Sequence, residues 1–385
     1  MSRLKVLWLA SWYPNPVTPY NGDFIQRHAR AAAMYHDIHV IHVWPDYSGH
    51  LTEKKEIIHR SEGLIEEIII YPAKTGFWGR LMSHQRMLGI YRAAIKRYYK
   101  TNGLPDLFHV QVPIKAGMAG LWMKKHTKLP MVVTEHWGIY NDIAEDNIHT
   151  RSRAFKYFTQ QVFVKADACI APSRYLAEGV NAMVAEKPFT IVPNVVDTKL
   201  FYYKPKSRSP KFRFLHVSNM VPLKNAEGIL RAFSHLMEQG QSAELVMVGD
   251  TDPAIREYAA SLDLGTDQVR FTGEIPYAAV AGEMQSADCL LLNSNIENSP
   301  CVIGEARCSG LPVIATCVGG VPELVDMSCG ILIEPKDDKA LSAAMRTIME
   351  RSGEYNRAAI AETGSGIFSM EVVGEKISKV YTGLQ

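Results

Sequence analysis

Residues 288–315 of the chain read DCLLLNSNIENSPCVIGEARCSGLPVIA, and this stretch decides the fold. An apolar run at 288–292 is followed by Ser299 and Pro300, which suit the N-cap and the first position of a helix. Gly310-Leu-Pro312 ends that helix, and a second apolar run then reaches residue 315. The stretch therefore predicts a strand, a helix over 301–309 and a second strand, which is the repeating unit of a parallel sheet.

The same alternation of short apolar runs with longer amphipathic stretches extends along the chain in both directions. The predicted strands cover 5–10, 38–43, 64–71, 107–112, 131–134, 168–171, 190–192, 212–217, 244–248, 269–272, 288–292, 312–315 and 330–333. The predicted helices cover 24–34, 80–99, 114–125, 153–165, 173–183, 226–239, 253–262, 277–286 and 301–309. This order predicts an α/β fold made of doubly wound parallel sheets.

One segment interrupts the alternation. Residues 204–211, KPKSRSPK, are basic, contain two prolines and lack an apolar period, which is typical of a linker. We therefore predict two Rossmann-like domains, an N-terminal one at 1–203 and a C-terminal one at 212–366. The last residues, 367–385, follow Gly364-Ser-Gly366 and are amphipathic, so we expect a terminal helix that packs back on the first domain.

The composition is ordinary for a soluble globular protein, with 47% hydrophobic and 21% charged residues among 385. No stretch approaches the ~20 apolar residues of a membrane span, and the first apolar run is too short for a signal peptide. The six cysteines contain no C-x-x-C pair, which favours free thiols over a disulfide framework or a zinc site. We therefore expect a cytoplasmic protein.

Charge is distributed unevenly along the chain. Residues 1–200 hold 25 Lys and Arg against 17 Asp and Glu, whereas residues 201–385 hold 17 against 23. A protein that binds nucleic acid would be more uniformly basic, so the pattern favours two domains with different partners and no nucleic acid.

Two glutamates flank the start of the predicted helix at 301–309. Glu297 lies in the loop at the carboxyl end of a strand, where ligands of doubly wound sheets bind, and Glu305 lies in the second helical turn. The start of a helix favours an anion such as a diphosphate, and carboxylates accept hydrogen bonds from sugar hydroxyls. The alternative is a capped helix with two incidental glutamates.

These residues and their surroundings resemble the signature of family-4 retaining nucleotide-sugar glycosyltransferases, the group 1 glycosyltransferases. The resemblance implies the GT-B fold, in which two Rossmann-like domains face each other across a cleft. It covers nearly the whole chain and is densest over 190–335. It rests first on Glu297 and Glu305, which are separated by seven residues and followed by Gly310-Leu-Pro-Val-Ile-Ala315 and Gly319-Gly320-Val-Pro-Glu323. Five further segments occur in the same order as in the family: Asn21-Gly22, Val192-Pro-Asn194, Val248-Gly249-Asp250, Phe271-Thr-Gly273 and Ala287-Asp288.

By that resemblance, Glu297 lies against the transferred sugar and Glu305 holds the ribose of the nucleotide. The resemblance also implies that four backbone positions face the sugar and the diphosphate: Asn298, Ser299, Pro300 and Cys301. The family usually has Gly-Phe-Gly after the first glutamate, whereas this chain has Asn-Ser-Pro. Because Pro300 supplies no N–H, one backbone contact to the donor is absent or moved.

Lys224 follows the first predicted strand of the second domain, in the stretch VSNMVPLKN at 217–225. A cation at the carboxyl end of a strand, just before a helix, suits a phosphate group. The family places an arginine and a lysine here; Lys224 matches the lysine and Asn219 stands at the arginine position. The alternative is a solvated surface lysine. The resemblance further implies substrate contacts at Gly22 and Ile275.

His136 follows a predicted strand in VVTEHWG at 132–138, and it matches the histidine that faces the sugar in the family. The alternative is a structural histidine, which is the commoner role for a lone one. Glu135, beside it, matches no clear role in the family.

Two motifs have the residue types of a metal site in the wrong context. Asp250-Thr-Asp252 has the D-x-D spacing of Mg²⁺ sites but precedes Pro253, which predicts a turn with an N-cap. The histidines at 36, 39 and 42 are spaced by three across a strand, which scatters their rings over both faces. We therefore expect no metal and no other cofactor.

The segment 77–128 is basic and aromatic. Residues 80–128 hold ten Lys and Arg against the single acidic residue Asp106, interleaved with aromatic side chains such as Trp78 and Trp122. A basic aromatic helix suits an anionic membrane surface. Nucleic acid is a rival partner without a supporting motif, and a solvated outer helix is the structural alternative.

Together these features predict a retaining glycosyltransferase that acts at the inner face of the cytoplasmic membrane. It would move a sugar from a nucleotide sugar, a UDP-sugar rather than GDP-mannose, to a surface-glycan or lipid-linked acceptor without a metal. Lys224 would stabilise the leaving diphosphate, while Glu297 and His136 would position the sugar. The alternatives are a non-catalytic module that binds a sugar nucleotide and a sugar-nucleotide epimerase. The absence of G-x-G-x-x-G after an early strand argues against a dehydrogenase.

Overall fold

The computed structural model describes residues 3–49, 51–141, 146–206, 210–249 and 253–385. The chain divides into two compact units. The first unit comprises residues 1–193 together with 370–385, and the second comprises residues 194–369. Within the part of the chain that the structure describes, none of the helices combines the length and the hydropathy of a membrane span.

The first unit is built on a sheet of eight described strands in the order β3-β4-β2-β1-β5-β6-β7-β8. The strands are β1 (Lys5–Ala10), β2 (Asp37–Asp46), β3 (Lys55–Ser61), β4 (Leu64–Pro72), β5 (Leu107–Gln111), β6 (Met131–Thr134), β7 (Ala168–Ala171) and β8 (Phe189–Ile191). The helices are α1 (Asp23–Ala33), α2 (Phe77–Asn102), α3 (Ala116–His126), α4 (Arg153–Lys165), α5 (Arg174–Met183) and α12 (Met370–Thr382). Strands β1, β2 and β4–β8 pair in parallel, as predicted from their apolar runs.

Strand β3 was not predicted, and it is the antiparallel member of this sheet. Its sequence, KEIIHRS, is mostly polar and its side chains are largely exposed, so it lacks the apolar run that marks the buried strands. Gly63, with a φ of 67°, forms the turn that joins β3 to β4. The exposed edge position explains why hydrophobic patterning missed the strand.

The terminal helix α12 belongs to the first unit. The hydroxyl of its Tyr381 is fully buried, accepts a hydrogen bond from Trp8 Nε1 at 3.0 Å and lies 2.7 Å from His109 Nδ1. The helix begins at Met370 rather than near residue 367, because Gly364-Ser-Gly366 lies inside the preceding helix and the extended Ser369 separates the two.

The second unit is built on a parallel sheet of six described strands in the order β11-β10-β9-β12-β13-β14. The strands are β9 (Phe212–Ser218), β10 (Ala243–Gly249), β11 (Val269–Gly273), β12 (Cys289–Leu292), β13 (Val313–Thr316) and β14 (Gly330–Ile333). The helices are α6 (Ala226–Glu238), α7 (Pro253–Ser261), α8 (Tyr277–Ser286), α9 (Cys301–Cys308), α10 (Asp338–Glu350) and α11 (Arg357–Phe368). The prediction of two α/β units with parallel sheets is confirmed.

The N-terminal segment of the first unit ends at residue 193, and the second unit begins at residue 194. This boundary precedes the basic segment 204–211, which was predicted to be the linker. Val196 N donates to Phe368 O at 2.8 Å, and the side chain of Phe201 is fully buried in the core of the second unit. These apolar residues join the second unit because their burial there removes them from water. Hydrophobic packing, rather than the prolines and lysines that follow, decides where the unit begins.

Candidate functional site

The strongest constellation of the second unit lies where β9 and β12 end, and these two strands are neighbours in the sheet. Lys224 is the last residue of a short 3₁₀ helix (Pro222–Lys224) that follows β9, and Glu297 lies in the loop after β12. Lys224 Nζ donates to Glu297 Oε1 at 2.6 Å. The structure thus brings together two residues that are 73 positions apart in the sequence.

The Glu297 carboxylate is 8% exposed and is held by its own loop. Ser294 Oγ donates to the same oxygen, Oε1, at 2.7 Å, and Thr316 Oγ1 holds the Ser294 carbonyl at 2.6 Å. Gly320 N donates to the Glu297 carbonyl at 3.2 Å, so the Gly-Gly stretch after β13 also supports this loop. The carboxylate is therefore fixed before any ligand arrives.

The loop that carries Lys224 is tied to the Glu297 loop by Asn295 N, which donates to Leu223 O at 2.8 Å. Asn225 occupies the N-cap position of α6 in a left-handed conformation with a φ of 48°, and its side chain makes no capping bond. Asn219 is exposed on the loop after β9. Burial lowers the pKa of the neighbouring His216 to about 4, which leaves this imidazole neutral beside the Lys224 ammonium.

Helix α9 starts at Cys301, with Pro300 at the N-cap position and no side-chain cap. The prediction placed Ser299 at the N-cap and Pro300 at the first helical position. The difference arises because Pro300 is extended, with a ψ of 121°, and because the Ser299 carbonyl accepts a hydrogen bond from Asn194 Nδ2 at 2.8 Å. The first turn of α9 still presents backbone N–H groups at the end of the Glu297 loop.

Glu305 lies in the second turn of α9 and is 5% exposed. The hydroxyl of Tyr277, the first residue of α8, donates to Glu305 Oε1 at 2.7 Å. Tyr277 was not predicted as a site residue; the available signal was an aromatic residue shortly after the strand that carries Phe271-Thr-Gly273. Ile275, two residues earlier, is half-buried and packs against the apolar core of the second unit.

Asn293 is a second residue that the sequence analysis did not single out. It follows β12 directly and is 1% exposed, and both atoms of its amide lack a hydrogen-bond partner within the described chain. A Cβ on Gly228 would lie 2.6 Å from Asn293 Nδ2, so glycine leaves room for the amide at the start of α6. A buried polar group directly after an apolar strand was the available signal.

In the first unit, Gly22 has a φ of 71° and precedes α1. A Cβ at this position would lie 2.7 Å from the Trp12 carbonyl carbon, so the approach of this turn to the loop after β1 requires glycine. The sequence signal for this requirement is the Asn21-Gly22 pair, which is typical of tight turns.

His136 follows β6, and its ring lies 4.9 Å from the ring of Phe24 and 5.3 Å from that of His28, centroid to centroid. Burial, with His28 and His109 nearby, holds the pKa of His136 well below its usual range. The imidazole is therefore neutral and suited to hydrogen bonding rather than to charge stabilisation. Gly22 and His136 belong to the first unit, and the remaining site residues belong to the second.

No three His, Cys, Asp or Glu side chains of the described residues gather as a metal site. Asp250 and Asp252 lie outside the described residues. His39 contacts Glu67, and His42 is buried with its Nδ1 2.8 Å from Ala10 O, while His36 Nε2 lies 2.8 Å from Ser378 Oγ. Each of these three histidines thus has its own structural partner.

Two family models match consecutive parts of the chain. The model described as Glycosyltransferase Family 4 matches residues 24–200, and the model described as Glycosyl transferases group 1 matches residues 201–364. Among curated proteins, the chain is 26% identical over 359 residues to the putative teichuronic acid biosynthesis glycosyltransferase TuaC of Bacillus subtilis, covering 89% of this chain and 88% of that protein. It is 23% identical over 300 residues to the alpha-monoglucosyldiacylglycerol synthase of Streptococcus pneumoniae, covering 72% and 66%.

Solved structures agree at the level of the fold. The sucrose-phosphate synthase of Thermosynechococcus elongatus superimposes with a TM-score of 0.78 at 20% identity and covers 99% of both chains. HepE of Anabaena, solved in complex with UDP-glucose, superimposes with a TM-score of 0.72 at 17% identity, covering 99% of this chain and 100% of that one. With the two family models, which together extend from residue 24 to residue 364, these likenesses identify the chain as a member of the family-4 glycosyltransferases of the GT-B fold.

Proposed function

We propose that the protein is a retaining glycosyltransferase that transfers a sugar from a nucleotide sugar to a surface-glycan or lipid-linked acceptor without a metal ion. The observation that carries the proposal is the ion pair between Lys224 and Glu297 at the carboxyl ends of adjacent parallel strands. Ligands of such sheets bind at this edge. The ion pair places a cation for phosphate and a carboxylate for sugar hydroxyls within one hydrogen bond of each other.

In this proposal the two glutamates bind different parts of the donor. Glu297, in the loop, contacts the transferred sugar, and Glu305, behind it in α9, holds the ribose with its orientation fixed by Tyr277. The backbone of Asn298, Ser299 and Cys301 faces the sugar and the diphosphate, with Pro300 contributing no N–H. Asn219, Ile275 and, from the first unit, Gly22 are further proposed substrate contacts, and His136 of the first unit is proposed to face the sugar and to position it with Glu297.

Retention is proposed to follow from substitution on one face of the sugar. The bond from the anomeric carbon to the diphosphate oxygen breaks, the acceptor oxygen bonds on the same face, and the departing diphosphate accepts the acceptor proton. Lys224 and the N–H groups at the start of α9 stabilise the charge that develops on the leaving group. Glu297 Oε1 already accepts from Lys224 and Ser294, which supports a positioning role rather than nucleophilic attack.

We further propose a UDP-sugar as donor rather than GDP-mannose. HepE, a structural neighbour, was solved with UDP-glucose, whereas some curated relatives are named as GDP-mannose-dependent. The names of the relatives concerned with teichuronic acid and with a glucosyldiacylglycerol support a surface-glycan or lipid acceptor. The exposed Trp78 and the exposed basic residues of α2 support a place on the inner face of the cytoplasmic membrane.

The test is a panel of UDP-glucose, UDP-galactose, UDP-N-acetylglucosamine and GDP-mannose, screened first by thermal shift. A donor at 100 times its Kd stabilises the folded state by about 2.7 kcal/mol. The stabilising donor is then incubated with bacterial lipid extract, and the anomeric configuration of the product is read by proton NMR with and without EDTA. An inverted product would contradict retention, and loss of activity in EDTA with rescue by Mg²⁺ would contradict metal independence. Donor binding with no product in any acceptor fraction would favour the binding module.

A further inference from the structure

The carboxylate of Glu135 is a fully buried group of the first unit to which no role has been assigned so far. Glu135 N donates to Ile170 O at 3.0 Å, which extends the pairing of β6 with β7 by one residue. The chain then leaves the sheet at His136. Glu135 is thus the last residue held by the sheet, and His136 is the first residue of the loop.

The side chain of Glu135 turns back on that loop. Its Oε1 accepts hydrogen bonds from His136 N and Trp137 N, both at 2.8 Å, and its Oε2 accepts one from the hydroxyl of Tyr140. A single carboxylate therefore holds the backbone at two consecutive loop residues and a side chain at a third. This set of bonds fixes the point at which His136 emerges from the sheet.

Packing contacts at Trp137 and Tyr140 also restrain the main chain of the loop that begins at His136. Trp137 packs edge-on against Trp12 at 5.6 Å between ring centroids, and the guanidinium of Arg151 lies over its ring at 4.9 Å. The Tyr140 carbonyl lies where a Cβ on Gly179 would come within 2.5 Å, so α5 packs closely on the far end of the loop. Because Trp137 and Tyr140 are held by packing, the hydrogen bonds that the Glu135 carboxylate accepts fix the main-chain position of His136, which lies between Glu135 and Trp137 in the chain.

We propose that Glu135 is a positioning residue that places His136 for its contact with the sugar. This inference rests on the proposed function, in which His136 is the first-unit residue that faces the sugar. Glu135 does not touch the substrate; it acts through the backbone of His136. A displacement of a positioned group by about 1 Å is enough to lower turnover by about 100-fold, so a loop held in this way affects the rate as well as the stability.

The geometry distinguishes the carboxylate from its amide. In Glu135→Gln, the amide oxygen can still accept from His136 N and Trp137 N, and the amide N–H can donate to the Tyr140 oxygen. Burial raises the pKa of Glu135 to about 7, so a neutral group is already tolerated at this site near neutral pH. Glu135→Ala removes all three acceptor contacts. The pair of variants therefore separates positioning by hydrogen bonds from any need for a negative charge.

The test is a double-mutant cycle between Glu135→Ala and His136→Ala, with Glu135→Gln as the matched control. We expect Glu135→Ala to lower kcat about 10- to 100-fold, as loss of a supporting hydrogen-bond partner does, with an unchanged Kd for UDP. Glu135→Gln should stay within about threefold of the wild type, on the scale of one modest hydrogen-bond change. The double variant should be no slower than His136→Ala, because both changes remove the same positioned group.

Multiplicative effects in the double variant would overturn the proposal, as would an equal loss in Glu135→Gln and Glu135→Ala. If Glu135→Ala does not fold, Tyr140→Phe removes one of the three donors and should lower kcat severalfold at an unchanged Kd for UDP; an unchanged kcat would contradict the proposal. The NMR resonance of the His136 ring in the ligand-free protein gives a readout independent of transfer. The resonance should move in Glu135→Ala and keep its position in Glu135→Gln. An unmoved resonance in Glu135→Ala overturns the positioning role, even if no donor is turned over. A moved resonance in a protein that shows no sugar transfer counts against the proposed function alone.

Discussion

The ammonium of Lys224 is the residue-scale feature on which the proposed chemistry depends most. Lys224→Ala should lower kcat by about 10²–10³, by analogy with the loss of one donor from an oxyanion site. The neutral Asn219 stands where the family has an arginine, so this loop supplies no second cation at that position. The measurement is steady-state transfer with the donor found by thermal shift.

Lys339→Ala is the matched control for Lys224→Ala, because Lys339 is an exposed lysine of α10 in the same unit. It should leave kcat unchanged. A turnover of Lys224→Ala within a fewfold of the control would contradict the assignment of leaving-group charge to Lys224.

Substitutions of Glu297 and Glu305 should affect the binding of free nucleotide differently. Glu305→Gln should weaken the binding of free UDP and of the donor alike, because Glu305 is proposed to hold the ribose. Glu297→Gln should leave free UDP binding intact and lower kcat. A hydrogen bond to a charged group contributes ~1.5–3 kcal/mol, which calorimetry of UDP and GDP resolves.

Tyr277→Phe is the control for this pair, since it removes the donor to Glu305 and leaves Glu297 untouched. It should weaken UDP binding less than Glu305→Gln does. If Glu297→Gln loses affinity for free nucleotide as badly as Glu305→Gln, the proposed division between sugar and ribose is wrong.

At the scale of single elements, the positions of the buried strands along the chain were predictable because each carries an apolar run bounded by turn residues. The polar edge strand β3 was not, because edge strands need no apolar run. Lys224 and Glu297 were each singled out because both follow strands, but their ion pair was not predicted, and Tyr277 reaches Glu305 from another helix. Pattern analysis locates residues along the chain, and contacts between elements depend on packing that the pattern does not contain.

Helix α2 carries the element-scale prediction. Trp78 is 72% exposed, and the neighbouring Leu81 and Met82 are exposed as well, while Lys96 and Lys100 are exposed further along. Vesicles containing phosphatidylglycerol should therefore bind the protein, and neutral phosphatidylcholine vesicles should bind it less. Each lysine near an anionic surface contributes about 1 kcal/mol, so Lys96→Gln with Lys100→Gln should weaken sedimentation with anionic vesicles by about 30-fold.

The control for the helix variant changes the same charge in the second unit. Lys199 and Lys339 are exposed there, and their replacement by Gln should leave vesicle binding unchanged. An equal loss in both double variants would indicate a general effect of net charge, and binding of all variants to neutral vesicles would contradict an electrostatic contribution from α2.

At the scale of the whole molecule, buried histidines, among them His28, His42 and His216, make stability depend on pH. Burial lowers the pKa of His28 and His42 in the first unit, and of His216 in the second, from 6.5 to about 4. The unfolded chain binds protons at these positions between pH 6.5 and 4 while the folded chain does not, so acid favours unfolding. Each of these histidines should lower the free energy of unfolding by about 2 kcal/mol between pH 7 and pH 5.

Glu135 acts in the opposite direction because its pKa is raised to about 7, so the folded chain holds a proton that the unfolded chain releases above about pH 4.5. The burial of Glu135 therefore stabilises the first unit as the pH falls from 7 to 5, by about as much as one buried histidine destabilises it. Among the described residues of the second unit, no carboxylate with a raised pKa offsets His216 in this way.

Urea unfolding at pH 7 and pH 5 tests this difference. His216→Gln should reduce the loss between the two pH values by about 2 kcal/mol, Glu135→Gln should enlarge it by a similar amount, and the exposed His235→Gln should behave as the wild type. Parallel pH dependence in all four proteins would show that these buried groups do not titrate as their burial implies, and an opposite sign for Glu135→Gln would mean that its carboxylate is charged in the folded state at pH 5.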